Sequence, residues 1–507
     1  MWEMFNFRGI RSRPKTTESE FDIYPVHLLD DAKTLRRSCP CYLFRFNDVL
    51  DAGALASSLS RLLEMGDWRK LGGRLRLKAD GRLEIAVPRH FTAEQPALTF
   101  TQDVFDTNIE DHGLGRKLPK WTNNSSSIHH LGSDLRSFAG PSGGSKTIQD
   151  MIKRQTPLLS LHVTSFHNAA VVVLSWPHVL MDAMGTCALL RNWSLVMNGK
   201  EEEVSAVASA REDVLEHAEL EGKGREEELL VHDKPLSTGR LMMFALKMLW
   251  QNLVGPGFQE RTMVLQERHF DELRTRAQED LASEAEQKQP PISDGDVLAA
   301  WAARSMALSQ PGLRSIAFFS IINARFRLPM LRQRPGEDYI QNFLLTSCFN
   351  LSPRVARGPL GPIALSHREN VAAQSTERQV WAFVRTQREH IRKKGDFKNY
   401  LRDAHATPLL FNNLAKMGIL QAIDFAAAVV KRGDEDVSRR NPTGSALYFT
   451  PLSRSLDPFF KINHFHVLGK DHAGQYQVTA LLRPGMWAVM EQELERIDGY
   501  FGDELLI

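Results

Sequence analysis

Cysteine is scarce in this chain: Cys39, Cys41, Cys187 and Cys348 are the four among 507 residues. Their number and spacing fit neither a disulfide framework nor a zinc site. They read as free, buried thiols in a reducing compartment. An excess of one charge sign is missing too. Lysine and arginine total 63 against 61 acidic residues, a net of +2, so no broad polycationic surface for nucleic acid is implied. Long apolar runs are absent. The most apolar window, Leu241 to Trp250, is interrupted by Lys247 and falls short of the ~20 residues a membrane span needs. Residues 1–17 mix Arg and Lys without an apolar core, which argues against a secretory signal. No G-x-S-x-G occurs, which disfavours a serine hydrolase built on a nucleophile elbow. A soluble, cytoplasmic protein without a transmembrane segment follows.

What is present is ordinary globular composition, 42% hydrophobic and 24% charged, in a chain long enough for two or three domains. The pattern is mixed α/β. Cys41–Phe46, Leu158–Phe166 and Ala169–Trp176 read as strands, while Ala52–Leu63, Gly185–Met197, Ser293–Leu308 and Thr376–Lys393 carry helical spacing. Asp80-Gly81 between apolar runs predicts a hairpin, and Phe459–Leu468 with Gln475–Leu482 predicts another near the C-terminus. Residues 103–147 are polar and read as a surface excursion. The simplest division is an N-terminal half 1–205, a charged crossover 206–260 and a C-terminal half 261–507.

Several motifs tempt. Gly140 to Thr147 nearly matches a phosphate-binding loop, but Ser145 stands where glycine is required and no buried strand precedes it. His464 and His466 share one face of a strand, yet no third ligand lies near them in sequence, so no metal site is expected. His-x-x-x-Asp occurs three times, at His27…Asp31, His130…Asp134 and His178…Asp182, and chance alone supplies about one. Spacing therefore decides nothing, but context does. His178 follows the apolar strand Val171–Trp176 and Pro177, and Asp182 and Gly185 lead into a helix. A strand-to-helix turn on a buried sheet can hold an imidazole rigidly at the rim of a cleft, as a general base requires. Asp182 is placed either to fix that turn by pairing with an arginine or to orient the ring.

Ser175-Trp176-Pro177-His178-Val179-Leu180-Met181-Asp182-Ala183-Met184-Gly185 resembles the H-x-x-x-D-[GA]-x-G motif of the BAHD acyltransferases. The resemblance extends over most of the chain. Pro25–Asp31, Trp68–Leu75, the Asn323-Ala324-Arg325 run and Tyr339…Asn342 are similar to further family segments, in the same order. Length and polar insertions look most like the fungal members that decorate secondary metabolites. The resemblance implies two chloramphenicol-acetyltransferase-like α/β domains, each a mixed sheet with flanking helices, and an active-site channel between them. It implies transfer of an acyl group, acetyl foremost, from acyl-CoA to a hydroxyl of a small metabolite. His178 would be the general base, with no covalent intermediate, no metal and no tightly bound cofactor. Asp182 and Gly185 would support the motif, with Arg325 as the partner of Asp182. The residues that hold CoA are not identified by it. A monomer is expected. The family's D-F-G-W-G has no counterpart here; Leu456–Asn463 stands in that region. Two alternatives share the fold: a condensation-type enzyme fed by a carrier protein, and a non-catalytic pathway partner.

Overall fold

The computed structural model describes residues 20–504, apart from 120–124, 131–132, 141–146, 225, 233–235, 285–289, 333, 434–438 and 453–460. Most of the phosphate-loop look-alike, and Leu456–Phe460 in the region without D-F-G-W-G, lie outside the described residues.

The uninterrupted apolar run that suggested a buried strand forms one at Ala170–Ser175, covered on both faces. It sits at the centre of a five-stranded sheet, between Cys41–Phe46 and Leu159–Ser165, with Leu98–Val104 at one edge. Val172, Leu174, Phe44 and Phe46 face a core shared with the helices Ala52–Leu62 and Ala183–Met197. Trp193 ties these helices together, its indole N–H donating to Ser58 Oγ at 2.9 Å.

A seven-stranded sheet organises the other half: Leu344–Leu351, Ile316–Asn323, Thr407–Asn413, Asn463–Lys470, Tyr476–Leu482, Gln259–Leu265 and Ser127–His130, in that order. Its strands alternate. Phe318, Phe411, Phe465, Val467 and Val478 enter a core capped by the helices Asp294–Ser309 and Pro484–Glu504. The intervening residues face the other way. In register, Asn412, His466 and Thr479 form one row across three strands, and Leu410, His464, Leu481 and Glu260 form the next across four.

Two strands cross between the halves. Tyr448–Pro451 pairs with Cys41–Phe46 and completes the five-stranded sheet. Ser127–His130, from the stretch read as a surface excursion, pairs with Gln259–Leu265 and closes the edge of the seven-stranded one. A buried ion pair reinforces the exchange, Arg439 donating to both oxygens of Asp48 at 2.7 Å. The stretch 206–260, read as a crossover, is charged mainly in its earlier part. Its later part is the helix Thr238–Val254, which contains no acidic residue.

The hairpin at Asp80-Gly81 forms as its turn residues dictate, Arg74–Leu77 pairing with Leu83–Pro88 and Gly81 adopting φ +81°. Thr376 caps the helix Glu377–Lys394, and Ser293 forms a capping box with Asp296.

Candidate active site

Where the strand Ala170–Ser175 ends, the chain must turn into the helix Ala183–Met197 within seven residues, and the turn is heavily fixed. Trp176 donates its indole N–H to the Met181 carbonyl at 3.2 Å. His178 donates its backbone N–H to the Ser38 carbonyl at 2.8 Å, and its own carbonyl accepts from Asn342 Nδ2 at 2.8 Å. Asn342 is itself held, its backbone and side-chain N–H groups both donating to Asp30 Oδ1.

Asp182 is buried. Its Oδ1 accepts from the backbone N–H groups of Met184 and Gly185, capping the helix. Arg325 meets it with two bonds of 2.9 Å, one to each oxygen, and the Phe343 N–H donates to Oδ2 at 3.1 Å. Arg325 spends its remaining donors on the carbonyls of Tyr339 and Gln341 and on Asn323 Oδ1. Of the two roles open to Asp182, this geometry is that of a structural clamp. Gly185 has no room for a side chain: a Cβ there would stand against the Ile340 carbonyl and lie 2.8 Å from Met181 Cβ.

The His178 side chain lines a cavity of about 390 Å³ between the halves. One wall comes from the first half, with Ser38, Cys39, Tyr42 and Ala183. The other is the polar face of the seven-stranded sheet, with Asn412, His464, His466 and Thr479. A second cavity, of about 250 Å³, lies beyond Ile321 and Leu344, side chains common to both linings. Asn342, whose side chain bonds the His178 carbonyl, lines this second cavity.

Burial dominates the electrostatics. It lowers the pKa of His178, overriding the opposing pull of Asp182, so the ring is neutral at neutral pH. The same cause lowers His464 to about 4 and His466 to about 3, and their rings stack with centroids 5.8 Å apart. Glu260, on the same wall, is pushed up to about 6 against the pull of Arg136 and Lys461. Among the described residues, no group of three or more His, Cys, Asp or Glu side chains is placed to hold a metal ion.

No family model matches the chain. Curated proteins similar to it over nearly its whole length include two acetyltransferases. O-acetyltransferase PaAT-2 of Phomopsis amygdali is 32% identical over 497 residues, covering 95% of this chain and 99% of its own. Acetyltransferase BOT5 of Botryotinia fuckeliana is 31% identical, covering 94% and 91%. The chain belongs to the BAHD-type acyltransferases, in their fungal secondary-metabolite branch. Solved structures agree on the fold of this acyltransferase. F. sporotrichioides TRI101, solved with coenzyme A and T-2, is 16% identical with a TM-score of 0.61 over 94% of this chain and 97% of its own. The first condensation domain of the calcium-dependent antibiotic synthetase follows at 13% and 0.53, over 91% of each chain.

Of the sequence-derived residues, the acyltransferase brings His178, Asp182, Gly185 and Arg325 together. The rival His-x-x-x-Asp pairs lie elsewhere. His27 is buried with neither ring nitrogen hydrogen-bonded, and burial is the first cause that lowers it to about 3. Asp31 holds Arg36. His130 is exposed on the edge strand Ser127–His130. Sequence reasoning named Asn342 and Asp30 only as members of family-like segments, without a role, and missed the polar sheet wall. The alternation in Asn463-His464-Phe465-His466-Val467 was the available signal. It showed that both histidines share a face but not what that face meets.

Proposed function

We propose that this acyltransferase moves an acyl group, acetyl foremost, from acyl-CoA to a hydroxyl of a small secondary metabolite, with His178 as general base. The observation that carries the reading is the placing of His178: a neutral imidazole on a backbone pinned from both sides, in a cavity that a second one meets. Donor and acceptor enter from the two sides. Neutral His178 takes the acceptor's hydroxyl proton as its oxygen attacks the thioester carbonyl. The C–S bond breaks, and the proton passes to the departing thiolate, so CoA leaves as the thiol and the imidazole is restored. A positioned base contributes about 10²–10⁴-fold, and juxtaposing two bound reactants contributes more.

Asp182, Gly185 and Arg325 are positioning residues in this reading. Acyl-CoA acts as co-substrate, with no tightly bound cofactor and no metal. The working state is a cytoplasmic monomer with halves 1–205 and 261–507 joined by 206–260, each half lending the other one strand.

The test mixes the protein with acetyl-CoA and a panel of hydroxylated metabolites. Free CoA together with a product heavier by one acetyl group is the expected result. Silence across acyl-CoA donors, with product from a carrier-bound donor, would overturn the choice of donor.

A further inference from the structure

The helix Thr238–Val254 takes no part in the chemistry, yet it carries more exposed large apolar side chains than any other described element. Met242, Leu246, Trp250 and Leu253 recur at spacings of four, four and three, which is one face of an α-helix. Each is more than 60% exposed. The opposite face is anchored. Met248 is buried, and Phe244 packs on Ala317, Leu401 and Ala406. Lys247 Nζ donates to the carbonyls of Ala404, His405 and Ala406 at 2.8–3.4 Å. A helix apolar on both faces is ordinarily enclosed. Here the outer face is left exposed among the described residues.

Three observations select the cover. The first is charge. Residues 238–258 contain no Asp or Glu. Arg240 and Arg314 are exposed, and Arg483 holds the helix end through the carbonyls of Gln251 and Pro256. The carboxylate acting on Lys247 is Asp403, which accepts a bond from Ser315 Oγ. The second is size. One face of a single 17-residue helix falls short of the roughly 20–30 residues a side in a stable protein interface, but it is what an interfacial helix lays into the headgroup layer, with Trp at the boundary. The third is continuity with the site. Asn252 Nδ2 donates to the carbonyl of Lys461 at 3.2 Å, and Lys461 lines the His178 cavity.

We infer that Thr238–Val254 docks on an anionic lipid bilayer surface, with Met242, Leu246, Trp250 and Leu253 inserted among the headgroups and the rim of the His178 cavity alongside. The helix lies on the membrane and does not span it. Arg240 and Arg314 meet the anionic headgroups, so binding weakens as salt rises.

The experiment floats the full-length protein with vesicles of phosphatidylcholine alone and of phosphatidylcholine mixed with phosphatidylserine. Recovery in the floating fraction is expected with the mixed vesicles, falling with added salt. Trp250 is the exposed tryptophan among the described residues, so brominated phosphatidylcholine in those vesicles should quench the wild type more than Trp250→Phe. The pair Leu246→Glu and Leu253→Glu should cut recovery by at least about tenfold with the melting curve unchanged. A wild type that stays unfloated with both vesicle types would overturn the inference. So would a double variant that floats equally well. A dimer in light scattering that the double variant dissociates, without vesicle capture, would assign the face to a second copy and also overturn it. No arm reads turnover, so the result is independent of the acyl-transfer reading.

Discussion

His178 and Asp182 are four residues apart and have opposite assignments. His178 lines the cavity and is kept neutral by burial; the Asp182 carboxylate is consumed by Arg325 and three backbone N–H groups. In the proposed mechanism protonation of His178 removes the base, and burial lowers its pKa below the ordinary value of 6.5. Activity should therefore be lost on acidification through a limb centred below pH 6.5, read from kcat/KM against pH. A limb at or above 6.5 would contradict the burial argument. For Asp182→Ala the loss is structural. It leaves Arg325 charged and unpaired in a buried site, which costs about 3–5 kcal/mol. Denaturant unfolding should show that loss together with a lower rate. The double variant with Arg325→Ala should be less unstable than the two single losses added, because they remove one interaction. Additive losses would mean that the two residues act independently.

At the scale of elements, the turn from Trp176 to Ala183 works because the helix behind it packs against the backbone of Ile340. Gly185→Ala sets a methyl against the Ile340 carbonyl and Met181, so the helix start must retreat and carry the Asp182 cap with it. The expected cost is about 1–3 kcal/mol, with kcat lowered more than KM is raised. A variant with wild-type melting and turnover would show that the contact yields freely. Much of this element was legible beforehand: an apolar strand, a proline, Asp182 and a glycine gave strand, turn and helix in order, although the capping role of Asp182 was not read. The opposite wall was not. His464 and His466 were recognisable as sharing a face, but a strand's alternation does not name its neighbours. The rows with Asn412, Thr479 and Glu260 depend on register among strands far apart in the chain, as in the pairing of Glu260 with Leu481.

Across the whole molecule, the family resemblance anticipated an α/β fold with a channel between halves, and the similarity to PaAT-2 and the TRI101 fold bear it out. The strand exchange was beyond sequence reading. Ser127–His130 lies in a polar stretch with little apolar periodicity, and its strand geometry comes from the open edge of Gln259–Leu265. Tyr448–Pro451 is four residues long and takes its place from Cys41–Phe46. Short edge strands of this kind are fixed by tertiary pairing and not by local propensity. The exchange also makes the cavity a property of the complete chain, since Pro451 and Leu452 help to line it beside Cys41 and Tyr42. The central claim, that an imidazole at this junction takes the acceptor's proton, is tested most directly with His178→Ala. Turnover of acetyl-CoA and an accepted hydroxylated metabolite should fall by about 10²–10⁴-fold while the melting curve stays that of the wild type. Turnover by a folded His178→Ala protein at the wild-type rate would contradict it.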